Sequence, residues 1–112
     1  MSGNPSAPPP RGRGGAGPDD DDCGKLRFPT QLASPQPAVV SVLTPGTVLT
    51  IELQDRAGVR VIVAVNDAGD VAGSIVERIQ QLLKCLQQGF TYEAIVSAVA
   101  GGAVNVSIQP SA

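Results

Sequence analysis

The 112-residue chain contains no histidine and no tryptophan, only three aromatic residues (Phe28, Phe90 and Tyr92), two cysteines and 16% charged residues. Each shortage narrows the chemistry. Without histidine there is no imidazole to act as a general base near neutral pH, and Cys23 and Cys85 have no evident activating partner. Two cysteines alone do not complete a zinc site unless carboxylates or a second chain contribute. The glycine pairs are turns that lie outside any phosphate-loop spacing. The expectation is a protein that is not an enzyme and carries no cofactor, with no catalytic or metal-ligating residues to nominate.

Long apolar runs are also missing. None approaches the ~18 residues that cross a bilayer, and no charged start leads into an apolar core of signal-peptide type. These features lead us to expect a cytoplasmic chain without membrane contact. The two cysteines, far apart in sequence, fit reduced thiols better than a disulfide framework, with Cys85 as a small buried residue beside the apolar face of a helix. Clustered positive charge is lacking too. Residues 1–37 balance four cations against four carboxylates, and residues 38–112 carry four against six. An acidic domain with scattered cations offers little phosphate neutralisation, so nucleic acid is possible as a partner but not favoured.

What is present divides the chain in three. Residues 1–22 hold five of the ten prolines and no large aliphatic residue beyond Met1, a composition that cannot offset the entropy of ordering and reads as a disordered tail. Within it, PPPRGRGG reads as a flexible segment rather than an RNA contact or a Pro-rich ligand. Asp19 to Asp22 reads as a solvated charge run rather than a cation site. Residues 23–37 place Leu26, Phe28 and Leu32 among polar residues, punctuated by Pro29, Pro35 and Pro37. This is an extended arm that lies either on the domain or on a partner, and its three large apolar residues are the candidate partner-binding residues. Residues 38–112 are the β-rich unit, small enough that a single core gives marginal stability.

Within that unit, Ala38 to Leu43 reads as a short strand ending at Thr44-Pro45-Gly46. The next strand places Leu49, Ile51 and Leu53 on one face, and a turn at Asp55 to Gly58 makes residues 59–65 its hairpin partner. There Val59, Val61, Val63 and Val65 form one face, and Arg60, Ile62 and Ala64 a second, partly covered one. A brief strand at Asp70 to Ala72 precedes a helix over about residues 75–88. The helix signals are a capping box of Ser74 and Glu77, an apolar stripe of Ile75, Ile79, Leu82, Leu83 and Leu86, and a stop at Gly89. A cap explains Ser74 and Glu77 without casting them as nucleophile and base. Tyr92 to Ala100 is apolar on both alternating sets, which suggests burial on both sides or a barrel seam. Val104, Val106 and Ile108 mark a last strand. The fold class expected is α+β: a small, mostly antiparallel β-barrel of SH3 or OB type with one helix before a C-terminal hairpin, or alternatively a β-grasp sheet around one helix.

The succession GTVLTIEL, VRVIVAV, GDVAGSI, LLKCLQQG and YEAIVSAVAGGAVNVSI, over about residues 46–108, resembles the HIRAN domain. That module is a small β-barrel attached to DNA-repair helicases and also found alone in bacteria. The resemblance rests on strand order and spacing, on Gly69 and Gly73, and on a helix ending in Leu-x-x-Gly before a hairpin. It departs at Gln54 to Gly58, where the family is Asn/Asp-rich, and at Ser74, where the family has an aromatic. The resemblance implies a stand-alone bacterial accessory module of a nucleic-acid-processing or defence system.

Three functions are therefore carried forward. The first is a non-catalytic module that binds a protein, through the arm or by strand addition at Ala38 to Leu43 or Val104 to Ile108. The second, implied by the resemblance, is single-stranded nucleic-acid binding through Arg56, Arg60, Arg78 and Tyr92. The third is a ubiquitin-like β-grasp protein.

Overall fold

A proline decides the first local structure after the arm. Residues 37–43 carry a β-branched run, yet Pro37 occupies the first helical position, where its fixed φ and missing N–H cost nothing, and Pro37–Val40 closes a single helical turn, α1. Val39 and Val40 both donate backbone bonds to the Gln36 carbonyl. The strand expected at Ala38 to Leu43 is thus replaced by a turn that sends Val40 and Leu43 into the core and leaves Val42 outside.

The computed structural model describes residues 22–111. The tail expectation, with PPPRGRGG and the first three residues of the aspartate run, lies outside them. A 3-10 turn, Cys23–Lys25, leads to β1 (Phe28–Gln31). After α1 come β2 (Val48–Arg56), β3 (Val59–Val65), β4 (Val71–Ile75), α2 (Ile79–Gln87), β5 (Tyr92–Ala100) and β6 (Ala103–Pro110). The strands form one antiparallel sheet in the order β1-β6-β5-β2-β3-β4.

The register explains which residues face inward. Phe28 lies opposite Ile108, Ile108 opposite Ala94, and Ala94 opposite Leu49, a buried row across four strands. On the other half of the sheet, Ile51 lies opposite Ala64 and Ala64 opposite Gly73, while Leu53 lies opposite Ile62 and Ile62 opposite Ile75. Directly opposed residues share a face. The register therefore assigns Ile62 and Ala64 to the main core and corrects the face expected for β3: Val59 is 60% exposed, while Val63 and Val65 are buried outside the main cluster. The ambiguity of β5 has a structural cause. Its ladder to β6 is irregular between Val96 and Ala98, and beyond that point Val99 packs on the core.

The sheet curls until its edge strands meet, without a continuous closing ladder. Ala33, just past β1, and Ser74 of β4 exchange backbone bonds of 2.8 Å, and Gln36 N–H donates to the Ala72 carbonyl. This contact requires Gly73. A Cβ there would lie 2.9 Å from the Leu32 Cβ and 3.0 Å from the Ala33 carbonyl oxygen. Pro29 falls in the edge strand β1, where a residue without an N–H is tolerated.

The arm is thus part of the domain. Leu26, Phe28 and Leu32 are all buried in the chain's own core, which corrects their assignment to a partner and removes the boundary expected at residue 38. Strand addition at Val104 to Ile108 is corrected as well, because β6 is flanked by β1 and β5.

The helix is shorter than expected. Ser74 and Ile75 belong to β4 and pair with Val63 and Ile62 of β3, so no Ser74–Glu77 capping box forms, and the Ser74 hydroxyl bonds the Ala33 carbonyl instead. Strand pairing has outweighed a local cap. The residue before α2 is Arg78, in the left-handed region at φ 54°. Leu82 and Cys85 are fully buried, with Ile79, Leu83 and Leu86 packed against the core. Gly89, at φ 97°, ends the helix as expected: its N–H bonds the Leu86 carbonyl and that of Phe90 bonds the Cys85 carbonyl, both at 3.1 Å.

The cysteines are not free thiols. Cys23 and Cys85 form a disulfide with Cα atoms 5.5 Å apart, across 62 residues of sequence. Folding lays the turn at Cys23 on α2, and sequence distance carried no information about that approach.

Candidate functional site

The four residues proposed for nucleic acid do not make one stacking surface. Tyr92 is 1% exposed. Its hydroxyl donates a hydrogen bond to the Cys23 carbonyl, and burial, with the Asp22 carboxylate adding to it, raises its pKa. Its ring is not available to a base. Arg56 is folded back on Gln54, with Nε and Nη2 at 3.3 and 3.0 Å from the Gln54 Oε1. Arg60 pairs with Asp55 at 3.8 Å, both more than half exposed, a pairing worth little in water. Both arginines belong to the β2–β3 hairpin. Arg78 stands elsewhere, its guanidinium 5.4 Å from the centroid of the buried Phe28 ring.

Arg78 instead shares a cleft with two other cations, Lys25 and Arg27. Asp22, Lys25, Leu26, Arg27, Arg78 and Gln81 line a cleft of about 160 Å³. Its walls are held in place. The disulfide and the Tyr92 bond anchor the turn that carries Lys25. Arg27 Nη1 donates to the Gln109 Oε1 at 3.0 Å, and the Gln109 amide donates to Glu93 at 2.8 Å. Lys25 lies 3.8 Å from the Asp22 carboxylate. A wider depression of about 570 Å³ adjoins it, sharing Arg78 and Gln81 and adding Val76, Ile79, Gln80 and Lys84.

The second feature is a ridge of valines. Val42 is 73% exposed and Val48 48% exposed. Val42 lines two clefts, one of about 590 Å³ with Val39, Val71, Arg56 and Asp70, the other of about 300 Å³ with Val48, Thr47, Asn66 and Asp67. The frame is rigid. Asn66 Oδ1 accepts the N–H groups of Ala68 and Asp70, both at 2.9 Å, closing the turn that presents Asp67 and Asp70. Across from it, the Gly46 N–H donates to the Val96 carbonyl and the Val96 N–H to that of Thr47.

Among the described residues no group of three or more His, Cys, Asp or Glu side chains is placed to hold a metal ion, and no helix is long and apolar enough to cross a membrane. No protein-family model matches the chain, and neither a curated protein nor a solved structure matches it.

Proposed function

We propose that the chain is a non-catalytic interaction module whose partner is another protein, engaged at the valine ridge. The observation that carries this reading is Val42, 73% exposed beside the half-exposed Val48 on a hydrogen-bonded frame. Burying a valine side chain in a partner is worth about 1.5 kcal/mol or more, and the two flanking clefts give a partner's aliphatic side chains somewhere to sit. Asp67 and Asp70 on the rims suit a segment with basic residues beside its apolar ones. The site is therefore displaced from the arm to the α1 side of the domain.

The curled antiparallel sheet, with one helix before a closing hairpin, supports a HIRAN-like small barrel as the proposed fold relationship. The accessory role in a bacterial nucleic-acid-processing or defence system rests on that resemblance alone. Single-stranded nucleic-acid binding loses support with the burial of Tyr92. The ubiquitin-like β-grasp reading loses support because strand side chains fill most of the core. The cytoplasmic expectation rested on the missing signal-type start and membrane-length apolar run; the Cys23–Cys85 bond supports an oxidising compartment instead.

The test is paired capture. Immobilised native chain and a Val42→Asp variant are offered the same extract. Because position 42 is exposed, the substitution should change stability by no more than about 0.5 kcal/mol. A partner kept by the native chain and lost by the variant supports the ridge; equal retention by both removes it.

A further inference from the structure

The cleft beside α2 lies apart from the valine ridge and asks for a ligand of different chemistry. The chain carries a net charge of −2. Even so, three cations from two separate segments, Lys25 and Arg27 beside the Cys23 turn and Arg78 at the start of α2, line it against the single carboxylate of Asp22. All three are exposed, but their surroundings limit where they can go. The disulfide and the Tyr92 bond fix the segment bearing Lys25, Gln109 fixes Arg27, and the Phe28 ring lies under Arg78. Arg27 and Arg78, whose guanidiniums are held, bind an anion with less of the ordering cost that flexible cations incur, and Lys25 adds its charge from the rim. The start of α2 adds to the field, since its first turn holds no acidic residue and no side chain caps it.

Size and surroundings restrict the anion. At about 160 Å³ the cleft is smaller than the ~300 Å³ at which pockets begin to hold drug-sized ligands, so it takes side-chain-sized groups. No aromatic face lines it for a base to stack on. A carboxylate already stands in it, that of Asp22 against Lys25. We propose that this cleft is a carboxylate-binding site that takes the side chains of a short acidic run. Such a run is at hand in this chain, where Asp19, Asp20 and Asp21 precede Asp22, and another protein can supply one equally well. The chemistry is the same, and the experiment separates the two sources.

The probe is a fluorescent tetra-aspartate peptide, followed by anisotropy at low ionic strength. It is titrated into the full oxidised chain, into a variant combining Asp19→Asn, Asp20→Asn and Asp21→Asn, and into one combining Lys25→Gln, Arg27→Gln and Arg78→Asn. Asparagine is chosen at 78 because it tolerates the left-handed backbone. The site requires peptide binding that the loss of the three cations weakens about tenfold or more. If neutralising residues 19–21 strengthens binding about tenfold, the chain's own run is the occupant, as expected for a tethered competitor at high effective concentration. If it changes nothing, the occupant comes from another protein, and the site stands. The proposal is overturned if the peptide binds neither the native chain nor the variant neutralised at residues 19–21, if the triple cation variant binds as the native chain does, or if inorganic phosphate or a single-stranded oligonucleotide binds more tightly than the peptide. Circular dichroism monitors the fold of each variant. Should the triple variant fail to fold, Lys25→Gln alone decides: its side chain is 83% exposed, and its loss should weaken binding about two- to threefold. Unchanged binding there overturns the proposal too.

Discussion

The N-terminal segment is fastened to the rest of the domain in two places, and the two fastenings use different chemistry. At its start side chains do the work: Cys23 is bonded to Cys85 of α2, Tyr92 donates to the Cys23 carbonyl, and Arg78 covers the Phe28 ring. At its far end the backbone does it: Leu32 N–H donates to the Val104 carbonyl, Ala33 and Ser74 exchange bonds, and Gln36 N–H reaches the Ala72 carbonyl. The side-chain fastening can be dismantled one group at a time. The backbone one depends on shape, because it exists only while Gly73 leaves room for Leu32 and Ala33. Curl of the sheet is thus governed by close backbone approach, whereas the α2 end is held by a covalent bond and polar contacts that also keep three cations in one cleft.

The largest effect is expected from undoing the covalent tie. The bond closes a loop of 62 residues of sequence separation, for which the chain-entropy account gives a stabilisation of about 4 kcal/mol. Chemical denaturation of the oxidised chain against a Cys23→Ala, Cys85→Ala variant measures it, since alanine removes the bond without burying a hydroxyl. Amide exchange in the same variant sharpens the contrast. Exchange at Lys25, whose N–H bonds the Asp22 carbonyl, and at Phe28 should quicken well before exchange at Ala33 and Ser74. If all four quicken together, the two fastenings behave as one unit and the contrast fails.

The backbone fastening is tested at Gly73. Alanine there should cost about 1–3 kcal/mol, the usual range for overpacking, because the atoms it meets are a Cβ and a backbone carbonyl rather than the end of a flexible chain. Gly24→Ala is the control, with nothing within 4 Å of an added Cβ and no unusual φ. It should be neutral or slightly stabilising. Equal thermal midpoints for the two variants would mean that the seam yields without cost.

The sequence was informative where a pattern is local. Alternation placed β2, β3, β5 and β6, and the three- and four-residue spacing with Gly89 placed the body and end of α2. It misled where two local signals competed. Ser74 and Glu77 satisfy a capping-box spacing, but pairing of Ile75 and Ser74 with β3 captured them for a strand. Val39 and Val40 favour a strand, but Pro37 began a helical turn. It was silent where distant segments meet. Leu26, Phe28 and Leu32 announced an extended arm without saying what it lies on. Nothing in the order of residues links Cys23 to Cys85, or Lys25 and Arg27 to Arg78. The candidate surfaces fall in that silent category, Val42 because its turn was read as a strand and the cations because only the fold brings them together.

The smallest effect separates the polar part of the first fastening from the covalent part. Tyr92→Phe keeps the ring and the disulfide but leaves the Cys23 carbonyl without its donor, at a cost of about 1 kcal/mol. The pH dependence adds a signature. Burial, with Asp22 adding to it, raises the Tyr92 pKa above its ordinary 10.0, so the folded state holds the phenol proton more tightly than the unfolded chain does. The corresponding stability is fully present below about pH 10 and is lost as pH rises through the higher folded-state value. Unfolding midpoints across an alkaline series should therefore converge, the native chain losing its advantage over Tyr92→Phe as the phenol ionises. A difference that stays constant with pH would mean that the hydroxyl is solvated despite its burial. A cost as large as that of losing the disulfide would mean that the hydrogen bond, rather than the covalent tie, sets the position of the turn.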